Sequence, residues 1–215
     1  MKVITFLSET AKTMKLAIMT RPTFFVEEDK ILVSLFDEGM ENLHINKQES
    51  SPLYTERLLS LIPEDYHKKI TVHQHFYLKE EYGLAGIHLD SETDNIPTGY
   101  KGKVSRTCSN LENLKAIKKI SNRVFLKNIF NSTSIKGEQQ SFSEQQLRDA
   151  SRSGLIDKNV YALGGMNIDN IKMAKDLGFG GVVISGDIWN RFDIHNQQDF
   201  IEVINHFKKL RKAIG

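Results

Sequence analysis

At 215 residues and 40% hydrophobic content, the chain is long enough to bury a sizeable core, and a single domain is the default. Its 29 basic and 27 acidic side chains give a net charge of +2, which argues against a global field suited to nucleic acid or an anionic membrane. The lone Cys108 excludes an internal disulfide framework, and no apolar run approaches the roughly 18 residues of a spanning helix. The apolar part of Met1–Leu7 is too short for a secretory signal, so the expected location is the cytoplasm.

In chain order, residues 1–15 read as an N-terminal extension, an added strand or a cover over one end of the fold. Leu16 to Thr20 is the first predicted strand. Ile31, Leu32, Leu35 and Phe36 recur at helical spacing and predict a helix over 27–40, ended near Gly39. Asn42 to Asn46 is strand two, Leu53 to Leu61 helix two, and Ile70 to His73 strand three. A short helix near Leu78 to Tyr82 stops at Gly83, and Gly86 to Leu89 is strand four. The stretch from Asp90 to Lys101 has no periodicity and reads as a loop.

Strand five spans Gly102 to Thr107, and Ser109 or Asn110 caps a helix carrying Leu111, Leu114, Ile117 and Ile120. Val124 to Leu126 opens strand six. Residues 131–141 form a long polar segment of the kind that carries function. A helix from Ser143 follows, then Val160-Tyr161-Ala162-Leu163-Gly164-Gly165 as strand seven. Ile168, Ile171, Ala174 and Leu177 form a helix with Asn167 as its cap, Asp169 in its first turn and Gly178 at its end. Strand eight, Gly180 to Ile184, runs into Ser185-Gly186, and a basic helix covers Phe200 to Ile214.

Strands seven and eight are apolar throughout rather than alternating, as parallel strands covered on both faces are. Eight strands alternate with helices or their remnants at roughly 25 residues per unit, the rhythm of a single (β/α)8 barrel over residues 16–215. Periodicity leaves an open doubly wound sheet as the rival. Gly164-Gly165 and Ser185-Gly186 both stand where a strand gives way to a loop. Bare amides and one hydroxyl there could converge on a phosphate, a frequent use of the last two loops of such barrels, or simply permit tight turns.

The motifs Ala162-Leu163-Gly164-Gly165 with Gly180-Gly181-Val182, Val124-Phe125-Leu126-Lys127-Asn128-Ile129-Phe130-Asn131-Ser132-Thr133-Ser134 and Gly86-Ile87-His88-Leu89 together resemble the thiamine phosphate synthase and thiazole tautomerase family. The similarity runs from about Leu16 to Trp189. It implies a (β/α)8 barrel and a transferase that joins a pyrimidine methyl diphosphate to a thiazole phosphate, releasing diphosphate with magnesium. The thiazole phosphate would lie on Gly164, Gly165, Ile184, Ser185 and Gly186, and the wider substrate site would include His44, Asn46, His73, His75, Thr107, Ser109, Ser132 and Ser134. Lys47 and Lys136 would meet the departing diphosphate, and Asp90, Glu92 and Asp94 would hold Mg2+. A homo-oligomer stays open.

Departure of diphosphate requires stabilised negative charge, so the family's cations matter. Asn46 stands in place of an arginine, and an amide cannot replace a charged, bidentate fork. His73-Gln74-His75 stands where an acidic residue is expected, Thr93 at a metal-ligand position, and Ile135 in place of a lysine, with Lys136 one residue on. Asn128 occupies the tautomerase histidine's position and cannot act as general acid or base. The alternatives are therefore a catalytically depleted relative that binds a thiazole or pyrimidine phosphate, in a regulatory or partner-dependent role, or a thiazole tautomerase-like protein.

His44, His73, His75 and His88 fall at the ends of three neighbouring strands, and three imidazoles could bind zinc, whereas histidines on strands are more often hydrogen-bonded core or pocket residues. Cys108 reads as a small buried residue, and Lys208, Lys209, Arg211 and Lys212 as the solvated end of the last helix.

Overall fold

The structure, a computed structural model, describes residues 14–48, 50–132, 137, 139–193 and 200–215. The strands β1 (Lys15–Met19), β2 (Leu43–Ile45), β3 (Ile70–Val72), β4 (Gly86–Leu89), β5 (Lys103–Cys108), β6 (Arg123–Leu126), β7 (Val160–Ala162) and β8 (Gly181–Ile184) pair in parallel in sequence order. The sheet closes where β8 returns to β1, with Ile184 opposite Ile18. That closure excludes the open doubly wound sheet and makes the fold a single (β/α)8 barrel. Of the extension expected over residues 1–15, residues 1–13 lie outside the described residues, and Lys15 already belongs to β1.

The helices are α1 (Glu28–Asp37), α2 (Pro52–Leu61), α3 (Glu64–His67), α4 (Leu78–Glu81), α5 (Leu111–Ile120), α6 (Glu144–Arg152), α7 (Ile171–Asp176), α8 (Gly186–Trp189) and α9 (Ile201–Ile214). Their ends follow local chemistry. The Asn110 side chain accepts from the Glu112 amide at 2.8 Å and so caps α5, while Ser143 and Gln146 form a reciprocal capping box at α6. Gly178, at φ +79°, ends α7 in the left-handed region that costs glycine little.

Two local expectations change. Helix α7 begins at Ile171 because Asn167 Oδ1 accepts from the Asp169 and Asn170 amides at 2.9 and 3.2 Å, a side-chain turn that competes with the helix. Asp169 therefore precedes the helix instead of sitting in its first turn. The four-residue helices α3 and α8 were not anticipated, since one turn carries no periodicity to detect.

Alternation along the strands builds two cores. Ile18, Leu43, Ile45, Val72, Ile87, Leu126, Val182 and Ile184 face the helices in a large outer core. Ala17, Phe125, Tyr161 and Val183 fill the barrel interior, with Met19 and Leu163 packed against them. Among the described residues, no helix is long and apolar enough to cross a membrane.

Candidate functional site

A cleft of roughly 140 Å³ opens at the C-terminal mouth of the barrel. Because side chains alternate along a strand, the inward residues and those two places on arrive at the mouth together. Asn46 and Gln48 come from the end of β2, Asp90 from β4, Thr107 from β5, Lys127 and Ser132 from β6 and its loop. Gly164, Gly165, Ser185 and Gly186 close the opposite side. Of the residues expected at the site, Asn46, Asp90, Thr107, Ser132, Gly164, Gly165, Ser185 and Gly186 thus line one cleft. Ser134 and Lys136 lie outside the described residues.

The glycine side is shaped by backbone approach. Gly164 and Gly165 have φ of +97° and +62°, and a Cβ on Gly165 would stand 2.2 Å from the Asn131 carbonyl oxygen. Leu163 and Gly164 carbonyls accept from the Ile129 and Phe130 amides at 3.1 Å each, so the β7 and β6 loops are stitched together beside the cleft. Only glycine satisfies both the left-handed conformation and the contact. Opposite them, Ser185 turns the chain from β8 into α8, and the Ser185 carbonyl accepts from the amides of Ile188 and Trp189. Ile184, expected here, points its side chain into the outer core.

Beneath the cleft lies a buried polar chain. His73 Nδ1 is 2.7 Å from Asp90 Oδ1, and His73 Nε2 is 3.0 Å from His44 Nδ1. The Asp90 carboxylate accepts from His73 Nδ1, and His73 Nε2 and His44 Nδ1 share one proton between them. His44 Nε2 is buried without a partner. His88 spans the Ser105 and Thr107 hydroxyls at 2.8 and 2.9 Å. Burial, with the neighbouring His73 next, holds both His44 and His88 well below the ordinary imidazole value.

His44, His73 and His88 are also the one cluster among the described residues whose ligand atoms lie within 4.8 Å of one another. Their ring geometry opposes a shared metal. His73 and His88 are stacked, with centroids 4.2 Å apart and planes 24° from parallel, so their in-plane lone pairs do not converge. These rings form a hydrogen-bonded interior, and His44 and His73 support the cleft from below without lining it.

The carboxylates expected to hold magnesium are dispersed. Glu92 Oε1 accepts from the Ser109 amide, the Ser109 hydroxyl and the Asn110 amide at 2.7, 3.2 and 3.2 Å, and Oε2 from Asn113 at 2.6 Å. Burial pushes the Glu92 carboxyl up, yet these hydrogen bonds leave it below its ordinary value. Glu92 and Ser109 therefore secure the start of α5 and do not join the cleft. Asp94 accepts from the Ser91 amide at 2.9 Å, and Arg106, buried in β5, donates to the carbonyls of Ser91, Glu92 and Asp94. Asp90 alone faces the cleft, already receiving His73 and, at 3.2 Å, Gln74. This donor set does not fit a three-carboxylate magnesium site.

Lys47 is placed elsewhere. Its Nζ lies 2.6 and 2.9 Å from the two oxygens of Glu28 and 3.0 Å from the Thr23 carbonyl, over the Phe24 ring at 4.4 Å. Both partners are buried, Lys47 to 1% and Glu28 to 2% exposure. Desolvation lowers the Lys47 ammonium and raises the Glu28 carboxyl, each opposed by the other's charge. Lys47 therefore pins β2 to α1, behind the barrel wall. His75, at φ +53°, is 3.1 Å from the Ser50 carbonyl through Nε2 and likewise does not line the cleft. Gln48 and Lys127, in the cleft, were missed, although strand alternation from His44 and from Phe125 leads to both.

A parallel (β/α)8 barrel with a polar, glycine-edged cleft at its C-terminal mouth defines a class of proteins that place small ligands there. The solved structure of thiamine phosphate pyrophosphorylase from Bacteroides thetaiotaomicron is 47% identical, with 93% of this chain and 97% of that chain covered and a TM-score of 0.84. This chain belongs to the thiamine phosphate pyrophosphorylase family. Thiamine phosphate pyrophosphorylase from Pyrococcus furiosus, 17% identical, covers 95% of this chain and 96% of its own with a TM-score of 0.71. The native KDPGal structure, also 17% identical, covers 99% and 97% with a TM-score of 0.64; these two share the fold. No family model and no curated protein matches the sequence.

Proposed function

We propose that this chain binds a phosphorylated heterocycle of the thiazole phosphate type, with the phosphate toward Gly164, Gly165, Ser185 and Gly186. The observation that carries the reading is the single cleft that joins this glycine side to Asn46, Gln48, Asp90, Thr107, Lys127 and Ser132. Backbone amides at loop ends suit a phosphate, and the amides and hydroxyls around the rest of the cleft suit ring nitrogens of a pyrimidine or thiazole. Family membership supports the ligand class.

The second reading is the family's transfer, in which the ring nitrogen of the thiazole phosphate bonds to the methylene of the pyrimidine methyl diphosphate as its C–O bond breaks and diphosphate leaves free. What favours it is Lys127 in the same cleft, a cation that Lys136 could supplement. What weighs against it is charge: Lys47 is committed to Glu28, Asn46 is neutral, Glu92 secures the start of α5, and Asp94 serves the β4 loop. Magnesium belongs to this second reading only.

Titration calorimetry with thiazole phosphate, and single-turnover assay with both substrates in magnesium or chelator, separates the two. Binding that survives chelation and disappears in Ser185→Glu, without thiamine phosphate formation, is the expected outcome. Magnesium-dependent product would establish the transferase instead. An absence of both binding and product would refute the ligand class itself.

A further inference from the structure

The opposite end of the barrel carries a second polar cavity, of roughly 240 Å³. Lys15, Lys68, Lys69, Lys103 and Arg123 line it, against one carboxylate, Glu41. Topology gathers these cations. Lys15, Lys103 and Arg123 open β1, β5 and β6, and Lys68 and Lys69 immediately precede β3. A chain with almost equal numbers of acids and bases has thus concentrated one sign of charge at one mouth.

That charge is not neutralised internally. Glu41 lies 3.6 Å from Lys15, and both side chains are largely exposed. Among the described residues, no carboxylate stands within ion-pair distance of Lys68, Lys69, Lys103 or Arg123. Like charges gathered around one mouth repel one another where salt does not screen them, and a bound anion relieves that repulsion.

The interior of the cavity supplies hydrogen-bonding groups. Thr71 and Tyr161, both buried, reach it from inside the barrel beside Ser105, whose hydroxyl is already 2.8 Å from His88 Nδ1. Arg123 is held with its guanidinium 4.3 Å over the Tyr161 ring, a pre-organised position. Gly181 allows that ring to lie across the barrel, since a Cβ there would come within 2.4 Å of it. Lys69 similarly rests over Tyr66 at 5.2 Å.

We propose that this basic well at the N-terminal mouth binds a small polyanion of the diphosphate class, independently of the cleft at the other end. Several cations around a hydroxyl-bearing well suit a compact group with more than one phosphate, whereas a single carboxylate would leave most of the repulsion in place. The ligand's source is either free diphosphate or the diphosphate end of a metabolite, which share this chemistry.

The test is calorimetric titration of the full chain with sodium diphosphate at low salt, without magnesium. Wild type and Ser185→Glu should bind alike, because that substitution obstructs only the C-terminal cleft. Lys103→Gln/Arg123→Gln should weaken binding by about tenfold or more, and Lys69→Gln/Lys103→Gln, which leaves the Arg123–Tyr161 packing intact, should show the same direction. Added salt should weaken wild-type binding. The proposal is overturned if wild type does not bind, if both lysine-containing double variants bind as wild type does, or if Ser185→Glu abolishes binding. A diphosphate-bearing nucleoside compared with free diphosphate then tells the two sources apart: equal affinity assigns the diphosphate group alone, and tighter nucleoside binding assigns the metabolite end.

Discussion

Replacing Lys47 with methionine should destabilise the protein and leave the ligand sites unaltered. The ammonium makes two contacts of 2.6 and 2.9 Å to Glu28 and a third of 3.0 Å to Thr23, with 1% of Lys47 and 2% of Glu28 exposed. Methionine preserves most of the packing on Phe24 but strands the Glu28 carboxylate in the wall between β2 and α1. Leaving one member of a buried pair uncompensated costs about 3–5 kcal/mol. Against a typical domain stability of about 5–15 kcal/mol, that is a large fraction. At about 2–4 °C per kcal/mol for a chain of this size, the melting midpoint should fall by about 6–20 °C. Trp189, the single tryptophan, is buried with Nε1 donating to the Met19 carbonyl at 2.7 Å, so its fluorescence reports the transition. Adding Glu28→Met should recover much of the loss, because no buried charge then remains. An unchanged midpoint in Lys47→Met, accompanied by loss of thiazole phosphate binding, would show that Lys47 acts in the cleft and would refute this placement.

The remaining predictions concern other buried groups and the glycine edge. Burial pushes the Cys108 thiol up to about 12, so alkylation at pH 8 should wait for unfolding and run at least tenfold faster in denaturant than in buffer. Because His44 and His88 are held well below their ordinary value, the unfolded chain takes up protons there that the folded barrel refuses. Stability present above pH of about 6.5 should therefore fall with pH by about 1.4 kcal/mol per unit for each histidine. Urea midpoints between pH 7 and pH 5 measure the slope, and His44→Asn/His88→Asn should flatten it. Gly165→Ala should cost about 1–3 kcal/mol and remove thiazole phosphate binding, since the new methyl meets the Asn131 carbonyl; equal affinity in calorimetry would contradict the role given to this edge.

The barrel was legible because its evidence is distributed: eight strand-length segments alternating with helices, and the helical spacing of residues such as Ile31, Leu35, Leu114 and Ile117, all point the same way. Where one residue decides, the reading was weaker. Asn167 offered equally good chemistry for a helix cap and for a side-chain turn, and the turn formed. Glu92 and Asp94 carry the charge a metal needs, but nothing along the sequence reveals that the amides at the start of α5 or of Ser91 will claim them first. The buried Arg106, which holds the β4 loop by three carbonyls, gave no signal at all in a strand read only for its apolar content.

Lys47 shows how the site could have been read better. It attracted attention as the cation closest to the expected arginine position, a choice made by charge. Phase decides otherwise. His44 points inward, so Asn46 and Gln48 follow it to the mouth while Lys47 must face the helices. A lysine forced behind a barrel wall needs a partner there, and Glu28, in the first turn of α1, supplies it. The same count from Phe125 in β6 brings Lys127 to the cleft. The consequence for function is direct: β2 offers the cleft two amides, Asn46 and Gln48, and no charge. On the proposed reading, that donor set suits a neutral heterocycle held by its phosphate, with Lys127 the cation among the cleft's lining residues.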